Sequence, residues 1–471
     1  MRRIGAWMLI AFALGCQGDD SLLPNKEPET SLANVPVANT PATPYLAVLT
    51  LSWDGGDPDG YLAGYEFNWT TYHLVLGDSI ANPWRFTTRA ETTFAFESSD
   101  SINLQVFQVR ARDNDGAHDP TPAVISLYTA RVQAPETRIA EPDSNAVLYM
   151  LTSPTDTWDG ITCTFDADDA DGEVTGYSWR VDERDWSEWN PATSVTLYQQ
   201  DFPAPVAGEH TFAVKARDNT MVEDPTPAML GLTLIEPSFD RSMLVVDETR
   251  DGTGGLENPT DTDVDAFYQT LIGTRSFDEW DFAQSGTPPK EVFGRYRVVV
   301  WHSDDMTADI TGSLGELSSY MDVGGKLVLG GWKVLTTIAG TTGQATFAEG
   351  QFAMDYLHLA SMNHVSGTLW CGGIGTGAWD WAIVRPDTVK LRSNRRGNLP
   401  EVDTIQPSTV FCAPVLLFDH LRQDSTVHLQ PCATFYDGTT YDVAYFGFPL
   451  FYTQVDQISP LLDDLFRRMG E

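Results

Sequence analysis

One set of residues occurs twice in the first half of the chain, and this duplication constrains the fold more than any other feature. The repeated elements are an acidic turn, a segment containing Ala-Arg-Asp-Asn and a closing Asp-Pro-Thr-Pro-Ala. They lie at 53–65, 109–114 and 119–123 in the first copy, and at 165–177, 214–219 and 224–228 in the second. A repeat of about 105–112 residues is the size of a domain and far longer than a solenoid unit. The sequence therefore predicts two tandem domains with one fold.

Each copy also has the alternation of apolar and polar residues that is typical of half-buried strands. It is clearest at 46–53 and 106–111 in the first copy and at 210–216 in the second. Turn-forming residues separate these segments at short intervals, which predicts a β-sandwich. The repeats resemble fibronectin type III and immunoglobulin-like domains of bacterial surface proteins. The resemblance implies two all-β immunoglobulin-like sandwiches, at 45–134 and 135–237.

Residues 1–16 have the composition of a targeting segment. Arg2 and Arg3 precede an apolar stretch at 4–14 that is too short to span a bilayer as a mature helix, and small residues then lead to Cys16. This resembles a bacterial lipoprotein signal, which implies removal of residues 1–15 and a lipid anchor on Cys16. The alternative is an ordinary secretory signal with an incidental cysteine.

Residues 16–44 are rich in Pro, Asn, Ser and Thr and have no amphipathic period. Such a composition cannot bury a core, so we expect a disordered tether between the membrane and the first domain.

The charge balance excludes several classes of partner. The chain has 29 Lys and Arg against 66 Asp and Glu, which gives a formal net charge of −37. Phosphate backbones would be repelled, so we expect no nucleic acid partner. The same balance argues against a polybasic membrane-surface binder.

The pattern changes after residue 237. Short apolar runs at 243–246, 296–301, 326–329 and 442–450 read as buried strands, and 277–283 alternates as a strand does. Segments at 263–272, 314–321 and 459–469 read as helices. Apolar strands that alternate with helices predict a parallel sheet covered on both faces.

The order of these elements resembles the class I glutamine amidotransferase-like fold, an α/β flavodoxin-like domain, over 238–471. In those enzymes a nucleophilic Cys follows the strand that matches 326–329, and a His and a Glu follow a late strand. Here the two stretches read Gly-Gly-Trp-Lys at 330–333 and Gly-Phe-Pro-Leu at 447–450. Because acyl transfer requires a nucleophile beside a base, the resemblance implies a relative without catalytic residues.

Ligands of open α/β sheets bind beyond the carboxyl ends of the strands. The polar residues expected there, together with one tryptophan, are the candidate ligand-binding residues Asp247, Asp251, His302, Ser303, Asp304, Asp305 and Trp332. A base or metal ligand at His302 is one interpretation. The alternative is a polar strand end that caps the next helix.

The repeated acidic turns suggest calcium as the one candidate cofactor. Their carboxylates are hard oxygen ligands beside glycines: Asp54, Asp57 and Asp59 in the first copy, and Asp166, Asp169 and Asp171 in the second. The alternative is that these side chains build the turns through local hydrogen bonds without an ion.

Two further residue types leave alternatives open. Among Cys371, Cys412 and Cys432 at most one disulfide can form, and buried free thiols are the other interpretation; no spacing indicates zinc. A group of aromatic residues could pack in a core or form a sugar-binding patch: Trp370, Trp379, Trp381 and Tyr356.

These features together predict a lipid-anchored cell-envelope protein, periplasmic or surface-facing, with a non-catalytic binding or scaffolding role. Its partner would be an envelope protein or a glycan. The two β-sandwiches would form a stalk for the C-terminal domain. The alternative is an envelope hydrolase that acts on glycan or peptide through the strand ends of the C-terminal domain.

Overall fold

The computed structural model describes residues 24–34, 39–45, 47–96, 101–131, 133–219, 221–255, 258–307, 309–391 and 398–471. The expected signal peptide and Cys16 lie outside these ranges. The chain divides into two compact units. One holds the residues up to Thr137 together with Ala167–Tyr177 and Lys215–Thr226, and the other holds Arg138–Asp166, Ser178–Val214 and Pro227–Glu471.

The first β-module consists of two facing sheets. Its strands are β1 (Glu29–Asn34), β2 (Val48–Gly56), β3 (Leu62–His73), β4 (Ser79–Ala81), β5 (Arg85–Thr87), β6 (Glu91–Ala95), β7 (Ile102–Asp113) and β8 (Ala123–Ala130). One sheet has the order β1-β2-β6 and the other the order β4-β3-β7-β8, with β5 beside β3. The Trp53 ring of β2 packs 6.0 Å from both Phe67 of β3 and Phe107 of β7. The predicted alternation thus places aromatic rings between the sheets.

The tether predicted for 16–44 is wrong at its C-terminal end, because Glu29–Asn34 forms strand β1. The cause is a fourth repeated motif, Pro-Glu-Thr, at 28–30 and again at 135–137. The Ala111 N–H donates to Thr30 Oγ1 at 2.6 Å, and the Ala216 N–H donates to Thr137 Oγ1 at 2.9 Å. The first module therefore begins before β1.

The second β-module repeats this arrangement with shorter strands. They are β9 (Glu136–Glu141), β10 (Ala146–Tyr149), β11 (Ile161–Asp168), β12 (Val174–Val181), β13 (Ser194–Leu197), β14 (Gly208–Asp218) and β15 (Ala228–Ile235). The sheets have the orders β10-β15-β14-β12 and β13-β11-β9. Phe165 of β11 and Trp179 of β12 each lie 6.2 Å from Phe212 of β14.

The remaining strands are β16 (Arg241–Asp247), β17 (Phe277–Asp281), β18 (Tyr296–Ser303), β19 (Lys326–Gly331), β20 (Gln344–Thr346), β21 (Leu359–Gly375), β22 (Ile383–Val384), β23 (Leu399–Pro407), β24 (Cys412–His420), β25 (Pro431–Asp437) and β26 (Asp442–Phe446). The helices are α1 (Asp261–Ile272), α2 (Phe282–Ser285), α3 (Lys290–Phe293), α4 (Leu314–Asp322), α5 (Val334–Ala339), α6 (Phe352–Asp355) and α7 (Val455–Arg468). None of the helices within the described ranges has the length and hydrophobicity needed to cross a bilayer.

These eleven strands form one mixed sheet rather than the purely parallel sheet that was predicted. The path is β17-β16-β18-β19-β26-β25-β24-β21-β20, and β22 and β23 also pair with β21. Strands β17, β16, β18, β19 and β26 are parallel neighbours. From β26 onwards the pairs are antiparallel. The apolar runs predicted β16, β18, β19 and β26, whereas the apolar run at 415–418 in the antiparallel strand β24 was not identified.

One buried core joins the parallel strands to two helices. Val245, Val300 and Val328 from β16, β18 and β19 belong to the same cluster as Phe267 of α1 and Phe466 of α7. The strand predicted at 277–283 ends earlier, because the Asp281 side chain accepts the Gln284 N–H and thereby caps α2.

We expect Thr30→Val to lower the free energy of unfolding of the first module by about 1–3 kcal/mol, because the N–H of the buried Ala111 loses its acceptor. Urea denaturation measures the change. Thr93→Val is the matched control, since its hydroxyl pairs only with Thr50 at an exposed position. Equal effects of both variants would contradict the structural role of Thr30.

Candidate functional site

Three of the predicted ligand-binding residues meet where the chain order of the parallel strands reverses. Strand β16 lies between β17 and β18, and Asp247 at its end is in register with His302 of β18. The His302 Nδ1 lies 2.9 Å from Asp304 Oδ2 and 3.4 Å from Asp247 Oδ1. His302 is 2% exposed and Asp304 is fully buried. The sequence thus predicted the position of these groups but not their burial.

The protonation of His302 follows from its surroundings. Burial lowers the pKa of the imidazole, but the charges of Asp247 and Asp304 outweigh this effect, and the pKa is raised above its usual value. The Tyr268 ring stacks on the imidazole with a centroid distance of 3.6 Å. A histidine whose protonated form is favoured by two carboxylates is therefore part of the interior.

Asp304 joins three other segments to the end of β18. Its carbonyl accepts the Trp332 Nε1–H at 2.8 Å, and its Oδ1 accepts the Phe451 N–H at 3.1 Å. Its own N–H donates to Thr249 Oγ1 at 3.1 Å. Trp332 itself is 1% exposed, so it packs in the core rather than facing a ligand.

The neighbouring acidic side chains also accept hydrogen bonds from other parts of the protein. Asp305 Oδ2 accepts the Arg250 N–H at 2.9 Å, and its Oδ1 accepts the Thr307 N–H at 2.7 Å. Glu248, which follows Asp247 in the chain, accepts the Trp301 Nε1–H at 2.7 Å. Burial raises the pKa of Glu248 to about 7.

The other two predicted residues differ in their environment. Asp251 is exposed, and its Oδ1 accepts the Asp261 N–H at 3.3 Å. Ser303 is buried, and its carbonyl accepts the Trp332 N–H at 2.8 Å. A Cβ at Gly331 would lie 2.5 Å from this carbonyl oxygen, which explains the glycine before the tryptophan.

A group of carboxylates lies beside Asp247. One oxygen each of Asp247, Asp265 and Glu279 lies within 4.8 Å of the others, and no other such group of three metal-ligating side chains occurs in the described ranges. Burial and the charge of Asp247 raise the pKa of nearby Asp261 to about 6. These oxygens are hard ligands of the kind that divalent cations prefer. Asp265 and Glu279 belong to no metal-binding motif that the sequence shows. They lie on α1 and β17, and only the fold brings them beside Asp247.

The bend after β19, where the resemblance to the glutamine amidotransferase-like fold predicts a nucleophile, holds Lys333. Lys333 has φ 54°, a left-handed conformation that is costly for a side chain with a Cβ. Its Nζ lies 3.4 Å from Glu401 Oε2, and His364 Nε2 lies 3.5 Å from the same oxygen. His364 Nδ1 lies 2.7 Å from Asp403 Oδ1.

Strand register explains this second network, which sequence analysis missed. His364 of β21 pairs with Asp403 of β23, and Glu401 lies two residues away on the same strand. The hydrogen bond to Asp403 and its charge raise the pKa of His364. The network can bind or move a proton, and the Tyr445 hydroxyl, which donates to Asp403 Oδ2 at 3.4 Å, is buried with it.

The cysteines do not supply a nucleophile. Cys163, Cys371, Cys412 and Cys432 are free, so no disulfide joins the four. Burial raises the pKa of Cys412 to about 11 and also raises the pKa values of Cys371 and Cys432. Such thiols are poor nucleophiles at neutral pH.

The carboxylates of the first acidic turn accept backbone N–H groups, as the interpretation without an ion predicts. Asp59 accepts the Lys26 N–H at 3.1 Å, Asp57 accepts the Asp59 N–H at 3.3 Å, and Asp54 accepts the Gly55 N–H at 2.9 Å. These bonds build the turn and attach the segment before β1 to it.

The carboxylates of the second acidic turn also bond to groups of the protein. Asp171 accepts the Gln133 N–H at 3.0 Å, and Asp169 accepts the Asp171 N–H at 3.2 Å. Asp166 forms an ion pair with Arg138 at 2.6 Å. In neither described turn do oxygens of three carboxylates lie within 4.8 Å of one another.

The aromatic patch is not formed. Trp370 and Trp379 are buried in the core, and Trp381 is 51% exposed. The Tyr356 hydroxyl donates to the Asp322 carboxylate at 3.1 Å. An aromatic patch that stacks on sugars requires exposed, coplanar rings, so core packing is the correct interpretation of Trp370 and Trp379.

No protein-family profile matches the chain, and no curated protein matches it. The chain is similar to the fibronectin(III)-like modules of Clostridium thermocellum CbhA (16% identity over 44% of this chain and 95% of that one, TM-score 0.22). It is also similar to the FN1–FN3 domains of chicken CNTN1 (13% identity over 41% of this chain and 63% of that one, TM-score 0.17). A third similar structure is that of the three N-terminal domains of the bacteriophage RB49 Hoc protein (16% identity over 47% of this chain and 63% of that one, TM-score 0.19). The chain spans less than two thirds of the chicken and phage structures.

We expect Asp304→Asn to lower the free energy of unfolding by about 3–5 kcal/mol, because the buried imidazolium of His302 loses a charged partner. Thermal and urea unfolding measure the loss. Asp251→Asn, at an exposed carboxylate, is the control and should change stability by at most about 0.5 kcal/mol. A neutral effect of Asp304→Asn would show that the contact does not hold the strand ends.

We expect the protein to unfold at a lower temperature at pH 8 than at pH 6. The folded pKa of Glu248 is raised to about 7 and that of His302 is also raised, so the folded state binds more protons than the unfolded state in this range. The stabilisation is therefore lost as pH rises through the folded pKa values. Calorimetry of the wild type and Glu248→Gln tests this, since the variant should have a smaller pH dependence. An unchanged dependence would exclude Glu248 as a cause.

Proposed function

We propose that the chain from 238 onwards is an α/β flavodoxin-like domain and a relative of the class I glutamine amidotransferase-like fold without its catalytic residues. Support comes from the parallel strands, whose order in chain numbering is 2-1-3-4-5, the flavodoxin-like order. Further support is the bend after β19, which turns directly into α5 at a residue with positive φ. Lys333 occupies this position in place of a nucleophile.

The function that we infer for this domain is binding or scaffolding without catalysis. The observation that carries it is the use of Asp304. Each polar group of this residue is bonded within the protein, and the strand-end imidazole beside it is buried. A general base must reach the proton of a substrate, which a fully enclosed dyad cannot do.

We further propose that the protein is attached to a cell-envelope membrane by a lipid on Cys16, periplasmic or surface-facing, with the two β-modules as a stalk. The sequence before Cys16 supports the anchor. Support for the stalk comes from the segment preceding each module, which is bonded to that module's acidic turn at Asp59 or Asp171. Such bonds restrict bending where the chain enters a module.

A second candidate is the envelope hydrolase, which the network at Lys333 favours. His364 and Asp403 form a hydrogen-bonded pair beside a second carboxylate, Glu401, as general acid–base chemistry requires. Both candidates would act on envelope glycan or peptide. They differ in whether the bound molecule is cleaved.

The two candidates are distinguished by incubating the protein with envelope glycan and peptide fragments and measuring both binding and product release. The binding role predicts that His364→Gln and Asp403→Asn change neither the products nor the amount bound. Slow cleavage by the wild type that disappears in both variants would contradict the non-catalytic role.

For the anchor, we expect Cys16→Ser to move the protein from the membrane fraction to the soluble fraction, because no acyl chain can be attached to serine by this route. Fractionation with labelled palmitate measures both location and lipid. The matched control is Cys163→Ser, at a buried thiol. Retention of the Cys16→Ser protein in the membrane would exclude the lipid as the anchor.

A further inference from the structure

A groove on the antiparallel part of the large sheet is unlike the rest of the surface in its chemistry. Its volume is about 470 Å³, within the range of small-molecule sites. None of the eleven residues that line it carries a charge, although charged residues make up 20% of the chain. The groove is distinct from the network at Lys333 and from the ends of the parallel strands.

Strand register builds the floor of the groove. Across β20, β21 and β23, one row of aligned residues is Gln344, Asn363 and Thr404, and the next is Thr346, Ser361 and Gln406. Aligned residues on neighbouring strands lie about 4.8 Å apart, and residues two apart on a strand about 7 Å. The result is a grid of six amide and hydroxyl side chains on one face of the sheet.

One wall of the groove is held in place by a bond between two amides. The Gln406 Nε2–H donates to Gln430 Oε1 at 2.6 Å, which links β23 to the loop that precedes β25. Each amide keeps unused hydrogen-bonding capacity, because a carboxamide offers two N–H donors and two acceptor lone pairs. The groove thus presents donors and acceptors side by side at fixed positions.

We propose that this groove binds a neutral oligosaccharide. Sugar hydroxyls donate and accept at once, which matches a grid of amides and hydroxyls. An acidic glycan would find no cation among the lining residues and would be repelled by the net charge of −37. The inference rests on the proposed binding role and names its ligand class.

A peptide fits the groove less well. Extended peptides bind through the free main-chain edge of a strand, and the edge strand β20 has only three residues. The grid instead offers side chains on the face of the sheet. Peptide binding along β20 is the competing outcome of the test.

The test uses the full chain with Cys16→Ser and isothermal titration with maltohexaose, chitohexaose and mannohexaose as neutral probes. A galacturonate hexamer is the acidic probe, and an uncharged Ala/Ser/Thr-rich peptide is the third. We expect saturable binding of at least one neutral probe and of neither other probe. Thr404→Val with Gln406→Met should weaken that binding about tenfold or more, because the hydrogen bonds are lost while volume is kept.

Thr162→Val is the matched control, since Thr162 forms an exposed cross-strand pair with Thr196 on another sheet. It should bind like the parent, and unfolding temperatures verify that the groove variant is folded. Equal binding by parent and groove variant, binding of the acidic probe or peptide instead, or no binding of any neutral probe would each overturn the proposal. Cleavage of a bound neutral probe would contradict the non-catalytic function and leave the groove assignment intact.

Discussion

A protonated histidine between two buried carboxylates holds together the part of the C-terminal sheet on which the rest of that domain depends. Without the positive charge of His302, Asp247 and Asp304 would be like charges in the interior. Paired charges that are also hydrogen-bonded are the form in which proteins tolerate buried ions. Through Asp304, the same pair fixes Trp332 and the backbone at Phe451. A histidine–aspartate pair often indicates catalysis, but here His302 and Asp304 connect segments of the fold.

Because the strand-end side chains are bonded within the protein, we expect ligands to bind at other surfaces. The ends of the parallel strands are closed by side chains from their own loops, whereas the antiparallel extension adds a new sheet face with open polar side chains. The network of Lys333, Glu401, His364 and Asp403 arises from the same extension, because two of its elements are β21 and β23. The additions to the parallel sheet thus carry both the polar groove and this network, of which Lys333 and Glu401 are the partly exposed members.

The sequence predicted what depends on local pattern. Alternation predicted the module strands β2, β7 and β14, and apolar runs predicted β16, β18, β19 and β26, because a strand that buries one or both faces shows this in the order of its apolar residues. The terminal helix was predicted to begin at 459, but α7 begins at Val455 and has Pro460 within its second turn. Strand β1 was missed because Pro-Glu-Thr is short and lies in a polar segment.

What the sequence could not give depends on pairing between distant strands. His364 and Asp403 are 39 residues apart, and their contact follows only from the register of β21 and β23. The grid at Gln344, Asn363 and Thr404 has the same origin, and its residues are common in loops. The burial of Trp332 could not be predicted either. A tryptophan at a strand end can contact a ligand or pack in the core, and the sequence does not show its neighbours.

The titration of His302 measured by NMR tests the central claim most directly. If the imidazolium is enclosed between Asp247 and Asp304, its ring signals will titrate above the pKa of a free histidine and will not respond to any added probe. A ring that titrates at or below the usual value, or that shifts when a ligand binds, would contradict the structural role and restore the strand ends as a binding site.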